Sequence, residues 1–235
     1  RQWREDLMAI VPTAPDGIIL PNAAGTEPVR QLAAELYELE QANQLPSGSI
    51  KIMPVVGTTA HAACSIPAFA DVVLPRMAGL AWDPDRLASA ICATRKHDAK
   101  TGWSGALALT RAQVLLAAHA HGILAVETCC IEAEDPKVLA PAIKEARADG
   151  FSGMLASHPS QVAEINPVFN PTPEEIENAR RIVAVFEANR DMNEFQIDRR
   201  TVGPHQLQYA KRLLHIDGEQ QEQSPAVRMP ILRTA

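Results

Sequence analysis

Five short apolar segments, separated by stretches with apolar residues at helical spacing, occupy the first two thirds of the chain. Strands that alternate with helices of 10–17 residues predict βαβ units and a parallel sheet. The pattern fits an open five-stranded sheet and equally the last five units of an eight-unit barrel. The predicted strands lie at residues 18–20, 50–56, 80–82 (or 72–74), 123–126 and 151–156, and the predicted helices at 2–11, 27–43, 60–69, 84–94, 104–120 and 135–148.

The pattern changes after the fifth predicted strand, where a strong helix start appears. Thr172 is placed to cap a helix, Pro173 suits its first position, and Glu175 completes a capping box. A helical segment attached to a strand-helix core suits a lid or an oligomer contact. We therefore predict a core over residues 1–170, a helical segment over 171–218 with a turn or hairpin near 197–200, and a polar tail over 219–235.

Composition restricts the partners and the compartment. The formal net charge of −6 disfavours a nucleic acid or an anionic membrane surface as partner. No apolar run approaches the roughly 20 residues that span a bilayer. The four cysteines have no metal-type spacing, which is typical of reduced thiols in a cytoplasmic protein. Because the chain begins at Arg1 rather than Met, we expect that a preceding part is not represented.

Polar residues follow each predicted strand. The carboxyl ends of parallel strands meet at one edge of a sheet, and α/β proteins bind their ligands there. The segment 95–102 is charged and is predicted to be a surface loop or lid. The residues at the strand ends are Pro21, Asn22, Gly57, Thr58, Thr59, Asp83, Asp85, Glu127, Thr128, Ser157, His158, Pro159, Ser160 and Gln161.

These side chains have two interpretations each. The carboxylates of Asp83, Asp85 and Glu127 suit a hard cation such as Mg²⁺, but the two aspartates equally suit the cap of the following helix. The imidazole of His158 suits a general acid or base, or a ring that holds its loop by hydrogen bonds. The sequence has no phosphate-binding glycine loop, no nucleophile elbow and no diagnostic metal motif.

Two neighbouring segments resemble a known family. Residues 150–162 (GFSGMLASHPSQV) and 165–183 (INPVFNPTPEEIENARRIV) are similar to the HPxQ loop and PTPEEI helix start of the citrate lyase β-subunit / HpcH-HpaI aldolase family. The resemblance implies a TIM-type (β/α)8 barrel with its first strands before Arg1, and a C-terminal helical extension that covers a neighbour's active site in a homotrimer. It also implies Mg²⁺-dependent cleavage or formation of a carbon-carbon bond in a CoA thioester.

The same resemblance assigns roles, and it shows departures from the family. The family's two metal-binding carboxylates fall at Gly57 and Arg86, its lysine after the first Leu-Pro falls at Asn22, and its catalytic aspartate has no counterpart before Pro204. The metal set available here is then Asp83, Asp85 and Glu127. The catalytic candidates are His158 and Arg111. The predicted substrate-binding residues are Asn22, Thr58, Thr59, Ser157, Pro159 and Gln161.

The resulting expectation is a carbon-carbon lyase with a degenerate metal site, acting on an acyl-CoA or a small oxoacid. One alternative is a catalytically silent family member that serves as a subunit or regulator. A second alternative is a CoA-thioester hydrolase on the same fold. The lost acidic positions and the retained loop motif together keep all three open.

Overall fold

The structure is a computed structural model that describes residues 2–98, 102–128, 136–189, 194–197 and 200–214. It comprises two compact units, the first running to Pro167 and the second beginning at Val168. The predicted limits of core, helical segment and tail stay predictions, and the tail over residues 219–235 lies outside the described residues. Within the described ranges, no helix has the length and apolar character that a membrane span requires.

The first unit is built on a parallel sheet whose strands pair in chain order, which confirms the predicted parallel α/β fold. The sheet order is β1-β2-β3-β6-β7, and β4 and β5 form a separate antiparallel hairpin. Among the described residues, β1 and β7 are the edge strands, and no hydrogen-bonded pairing joins them into a closed barrel. The strands are β1 (Gly17–Leu20), β2 (Lys51–Val56), β3 (Gly79–Trp82), β4 (His97–Asp98), β5 (Gly102–Trp103), β6 (Leu124–Glu127) and β7 (Gly153–Met154).

The helices of this unit follow the strands, with three differences from the prediction. The helix predicted over residues 84–94 ends at Ala90, and the helix Val162–Phe169 was not predicted. The helix expected over residues 60–69 is two short helices, and Pro67 lies between them as the cap of the second. They are α1 (Gln2–Ile10), α2 (Glu27–Ala42), α3 (Ala60–Cys64), α4 (Ala68–Asp71), α5 (Pro84–Ala90), α6 (Gly105–Ala120), α7 (Pro136–Asp149) and α8 (Val162–Phe169), with 3₁₀ turns at Val11–Thr13 and Pro159–Gln161.

Burial decides between the two candidates for the third strand. All four residues of β3 are buried, whereas Val73 in the competing segment is 75% exposed. A strand covered on both faces reads as a continuous apolar run, which is the pattern of residues 79–82. The last strand is shorter than predicted, since only Gly153–Met154 pairs with β6.

A buried ion pair stabilises the amino edge of the sheet, the side at which its parallel strands begin. The carboxylate of Glu40, at the end of α2, accepts hydrogen bonds from Arg76 Nη1 and Nη2, both at 2.7 Å. The backbone N–H groups of Gly48 and Ile50 donate to the same carboxylate, at 2.8 and 3.0 Å. Burial by itself raises the pKa of Glu40, but these donors outweigh it and lower the pKa from 4.5 to about 2. The carboxylate therefore stays charged although its side chain is fully buried.

The second unit packs two helices against a hairpin. The predicted capping box is confirmed, because Thr172 Oγ1 accepts from Glu175 N at 3.2 Å and Glu175 Oε2 accepts from Thr172 N at 2.7 Å. The unit's core consists of Ala179, Ile182, Val183, Val202 and Ala210. Its elements are α9 (Pro173–Ala188), β8 (Phe195–Ile197), β9 (Arg200–Val202) and α10 (Pro204–Leu213).

Candidate functional site

A cleft of about 180 Å³ lies at the carboxyl ends of the sheet strands. A cleft of this size holds a small acid, whereas sites for drug-sized ligands are larger. Its lining combines apolar walls with amide, hydroxyl, carboxylate and guanidinium groups. The lining residues are Pro21, Asn22, Val55, Thr58, Trp82, Asp83, Asp85, Arg86, Thr128 and Leu155.

Among the described residues that line the cleft, the cation is Arg86, whose side chain is 59% exposed. Its Nη1 donates to Asn22 Oδ1 at 2.7 Å, which joins the segment after β1 to the first turn of α5. Its Nε lies 3.4 Å from Asp83 Oδ2. Asn22 has a positive φ of 56°, a conformation that asparagine tolerates better than most residues. The resemblance identified position 86 only as a lost carboxylate, so sequence reasoning missed this arginine as a possible ligand-binding group.

The two aspartates beside Arg86 already have partners. Asp83 caps α5, because its Oδ1 accepts from Arg86 N at 3.0 Å. Asp85 forms an ion pair with Lys96. Both carboxylates line the cleft as predicted from the strand ends, and the helix-capping interpretation describes Asp83.

The third predicted metal ligand, Glu127, is held in a buried network behind the cleft. Its side chain is 3% exposed. Its Oε1 accepts from the indole N–H of Trp82 at 2.5 Å and from the N–H of Thr128 at 2.9 Å, while Oε2 accepts from Arg111 Nε at 2.6 Å. Because donors engage both oxygens, Glu127 orients Trp82 and Thr128, which themselves line the cleft.

Arg111 is the cation of that network. Its Nη1 lies 2.6 Å from Asp149 Oδ2, and its guanidinium stacks 4.7 Å from the ring centroid of Phe151. Burial by itself lowers the pKa of Arg111, but the carboxylates of Glu127 and Asp149 raise it above its ordinary value. Arg111 does not line the cleft, and these contacts tie α6 to β6 and α7.

The carboxylates do not converge on one point. Among the residues that the structure describes, no group of three His, Cys, Asp or Glu side chains is placed to hold a metal ion. Gly57 has a φ of 69°, and a Cβ there would lie 2.7 Å from Cγ2 of Thr110. Thr110 is buried, and its hydroxyl donates to Ala106 O at 2.8 Å, so its methyl group is held in place. The fold has no room for a side chain at this position.

The HPxQ loop is organised by hydrogen bonds within itself. Gln161 is buried, and its Oε1 accepts from the N–H of Ser157 at 2.9 Å and of His158 at 3.4 Å. His158 is exposed, and its Nδ1 lies 2.8 Å from Ser160 Oγ. Pro159 begins the 3₁₀ turn that follows. None of these residues lines the cleft. This geometry matches the loop-holding interpretation of His158.

Two neighbouring threonines after β2 differ in their contacts. Thr58 is 5% exposed and lines the cleft. Thr59 Oγ1 instead accepts from Ala62 N at 3.1 Å and caps α3. Of the two threonines predicted to bind substrate, Thr58 therefore lies at the cleft and Thr59 is a helix cap.

An aromatic contact joins Trp103, the residue directly after the predicted 95–102 loop, to the cleft. Trp103 packs edge-on against Trp82 at 5.0 Å, and His97 packs against Trp103 at 5.0 Å. The predicted loop or lid thus contains a short hairpin anchored on a cleft residue, although residues 99–101 lie outside the described residues. Trp82 was missed because it reads as the last apolar residue of a buried strand.

Comparison with known proteins identifies the relatives, although no protein-family model matches the chain. A citrate lyase subunit beta-like protein of Mycobacterium tuberculosis is 26% identical over 215 residues, covering 91% of this chain and 71% of that protein. The mitochondrial citramalyl-CoA lyase of Mus musculus is 26% identical and a (3S)-malyl-CoA thioesterase of Cereibacter sphaeroides is 28% identical. The chain spans 53% and 59% of the lengths of these two proteins.

Solved structures agree with these relatives. The CitE protein of Mycobacterium tuberculosis, in complex with magnesium, acetoacetate and coenzyme A, has a TM-score of 0.62 at 25% identity and covers 92% of this chain and 73% of that one. A citrate lyase from Burkholderia xenovorans has a TM-score of 0.75 at 20% identity, covering 92% and 68%, which shows the fold alone. The loop motif, the parallel strand order and both sets of relatives agree, so this chain is similar to proteins of the citrate lyase β-subunit family.

Proposed function

We propose that this protein is a carbon-carbon lyase of the citrate-lyase-β type, which acts on a CoA thioester or a small oxoacid bound in the strand-end cleft. The observation that carries the proposal is the cleft itself, where Asn22, Thr58 and Arg86 line one small space. Relatives named as a citramalyl-CoA lyase and a malyl-CoA thioesterase support a CoA-thioester substrate. We also propose that the sheet is part of a closed (β/α)8 barrel.

The reaction places clear demands on the site. Breaking the carbon-carbon bond of a hydroxyacyl thioester releases the hydroxyl proton and produces an oxoacid and an enolate, which takes up a proton to become the shorter acyl thioester. The enolate oxygen needs donors to stabilise its charge. Side chains aimed at the cleft bind the acid and exclude water. We propose that Arg111 and His158 act on the site indirectly. Arg111 holds Glu127 in place. His158 fixes the conformation of its loop, together with Ser157, Pro159 and Gln161.

Magnesium is part of the family's chemistry, and its fit to this chain can be judged from the donor set. Position 57 has no space for a carboxylate, position 86 carries a cation, and both oxygens of Glu127 accept hydrogen bonds from Trp82 and Arg111. The described residues do not form an Mg²⁺ site of the family type, so no step of the proposed reaction is assigned to the metal.

Product analysis tests the proposal. The protein is incubated with (3S)-malyl-CoA or citramalyl-CoA, and the products are separated by mass spectrometry. The lyase proposal predicts an oxoacid together with a shorter acyl-CoA. Thr58→Val should lower this activity, while the exposed Arg30→Gln on α2 should leave it unchanged. Intact substrate after prolonged incubation would contradict the proposal.

Two rival functions have their own support. A CoA-thioester hydrolase is favoured by the 28% identical malyl-CoA thioesterase, and it predicts free CoA thiol with the carbon skeleton intact. A catalytically silent subunit or regulator is favoured by Gly57 and Arg86, and it predicts ligand binding by calorimetry without any product. Thiol titration with a chromogenic disulfide separates the first rival from the lyase in one assay.

The assembly and location stay predictions. We propose a homotrimer in which the second unit contributes to the contact between copies, together with a cytoplasmic location. Sedimentation equilibrium tests the assembly, because a trimer has three times the mass of one chain. A monomer at micromolar concentration would contradict the trimer.

A further inference from the structure

We propose that the guanidinium of Arg86 binds the carboxylate of the ligand directly, so that the cleft recognises a small oxoacid without a divalent metal ion. This inference rests on the proposed function of the cleft and specifies how its ligand is recognised. Structures of relatives contain magnesium, whereas this chain would use the fixed positive charge of an arginine.

The guanidinium is oriented but retains donors for a ligand. Nη1 is held by Asn22 Oδ1 at 2.7 Å and Nε lies 3.4 Å from Asp83 Oδ2. Within the described part of the chain, no acceptor engages Nη2 of Arg86. A planar guanidinium offers its nitrogens as a fork that matches the two oxygens of a carboxylate.

Neutral donors converge on the same space. Asn22 accepts from Arg86 through its oxygen, so its amide nitrogen remains available to donate. The Thr58 hydroxyl lines the cleft, and no group among the described residues hydrogen-bonds to it. A carboxylate on Arg86 with a neighbouring keto or hydroxyl oxygen would match this set of donors, which specifies an oxoacid or hydroxy acid.

The acidic residues nearby do not cancel the positive charge. Asp85 is paired with Lys96, and Asp83 accepts the N–H of Arg86 as a helix cap besides lying near its Nε. These four residues carry two negative and two positive charges, so the cleft is balanced while Arg86 is present. Removing Arg86 leaves an excess negative charge that would repel an acid.

A metal at this point is disfavoured by the same residues. A cation bound near Arg86 would face a guanidinium in place of the family carboxylate. The position after β2 cannot supply a second carboxylate, because a Cβ on Gly57 would lie 2.7 Å from Thr110 Cγ2. Among the described residues, no three metal-ligating side chains converge at the cleft.

Isothermal titration of the full chain with oxaloacetate or pyruvate tests the inference. The titration is run in EDTA and again with millimolar magnesium. We expect binding of equal affinity in both buffers. Arg86→Gln should weaken binding at least about tenfold, the effect of losing one charge-assisted hydrogen bond. The matched control Arg30→Gln, an exposed arginine on α2, should leave binding unchanged.

Arg86→Lys supplies a second readout, because it retains the charge and loses the fork. We expect it to recover part of the affinity that Arg86→Gln loses, and circular dichroism checks that each variant is folded. Binding that requires magnesium and ignores Arg86→Gln would overturn the inference while leaving the proposed function intact. Absence of binding in both buffers would also overturn the inference, whereas the proposed function is decided separately by the products formed from malyl-CoA or citramalyl-CoA.

Discussion

Arg76 precedes β3 and Arg86 follows it, so the two arginines lie at opposite ends of the strands, Arg76 at the amino edge of the sheet and Arg86 at the carboxyl edge. The side chain of Arg76 is 11% exposed, and its two terminal nitrogens are bound to Glu40 and to Ile50 O. The side chain of Arg86 is 59% exposed, and within the described ranges it donates one hydrogen bond, to Asn22, and lies 3.4 Å from Asp83 Oδ2. One guanidinium is fully engaged in holding the fold, and the other is positioned with unused donors. The difference separates a stabilising edge from the edge proposed to bind the ligand.

The largest expected effect is at the stabilising edge. Arg76→Gln leaves the buried carboxylate of Glu40 without its cation, and breaking a buried ion pair costs about 3–5 kcal/mol. Urea denaturation followed by circular dichroism measures the loss in the free energy of unfolding. A change no larger than that of the control Arg30→Gln would remove the distinction between the two edges.

The same pair predicts a pH dependence. The folded pKa of Glu40, about 2, lies below its ordinary value of 4.5. The stabilisation is therefore complete above pH 4.5, and it is lost as the pH falls from 4.5 through 2. Its size is about 3 kcal/mol, from 1.36 kcal/mol per pKa unit. Glu40→Gln should show a shallower acid loss than the unchanged protein, and parallel curves for the two would contradict the assignment.

A smaller effect is expected from a helix cap at the ligand edge. Thr59→Ala removes the acceptor for Ala62 N and should cost about 1 kcal/mol of stability. Because Thr59 faces α3 rather than the cleft, oxoacid affinity should stay unchanged in the same variant. Thermal melting and calorimetry measure the two quantities. An affinity loss with unchanged stability would return Thr59 to the substrate-binding set.

The smallest stability effect is expected for Arg86→Gln. The side chain is mostly exposed, and exposed substitutions usually change stability by less than about 0.5 kcal/mol. Urea denaturation beside Arg76→Gln gives the direct comparison. A loss similar to that of Arg76→Gln would make Arg86 a structural residue and weaken the argument for its role in binding.

Local patterns predicted most of the fold. The Thr172 cap and the helices at 27–43 and 104–120 depend on contacts within a few residues, and the structure reproduces them closely. The choice of residues 79–82 as third strand needed burial, which depends on the covering helices. The hairpin within the 95–103 segment needed the packing of Trp103 on Trp82.

The location of the candidate site could be predicted from the sequence, but the hydrogen-bond partners of its residues could not. Polar residues after parallel strands predicted the edge of the sheet at which the cleft lies, and Asn22, Thr58, Asp83 and Asp85 line the cleft. The pairing of Glu127 with Trp82 joins residues far apart in the chain, as does that of Arg86 with Asn22. Residue spacing carries no signal for such pairs.

Gly57 also limits what a substitution at this position can achieve. A glutamate here would have to adopt a left-handed backbone and would press against the buried methyl group of Thr110. A carboxylate at position 57 therefore requires a second substitution at position 110, and Arg86 would still place a cation in the cleft. Engineering a single acidic residue into this chain is not sufficient to build a metal site of the family type.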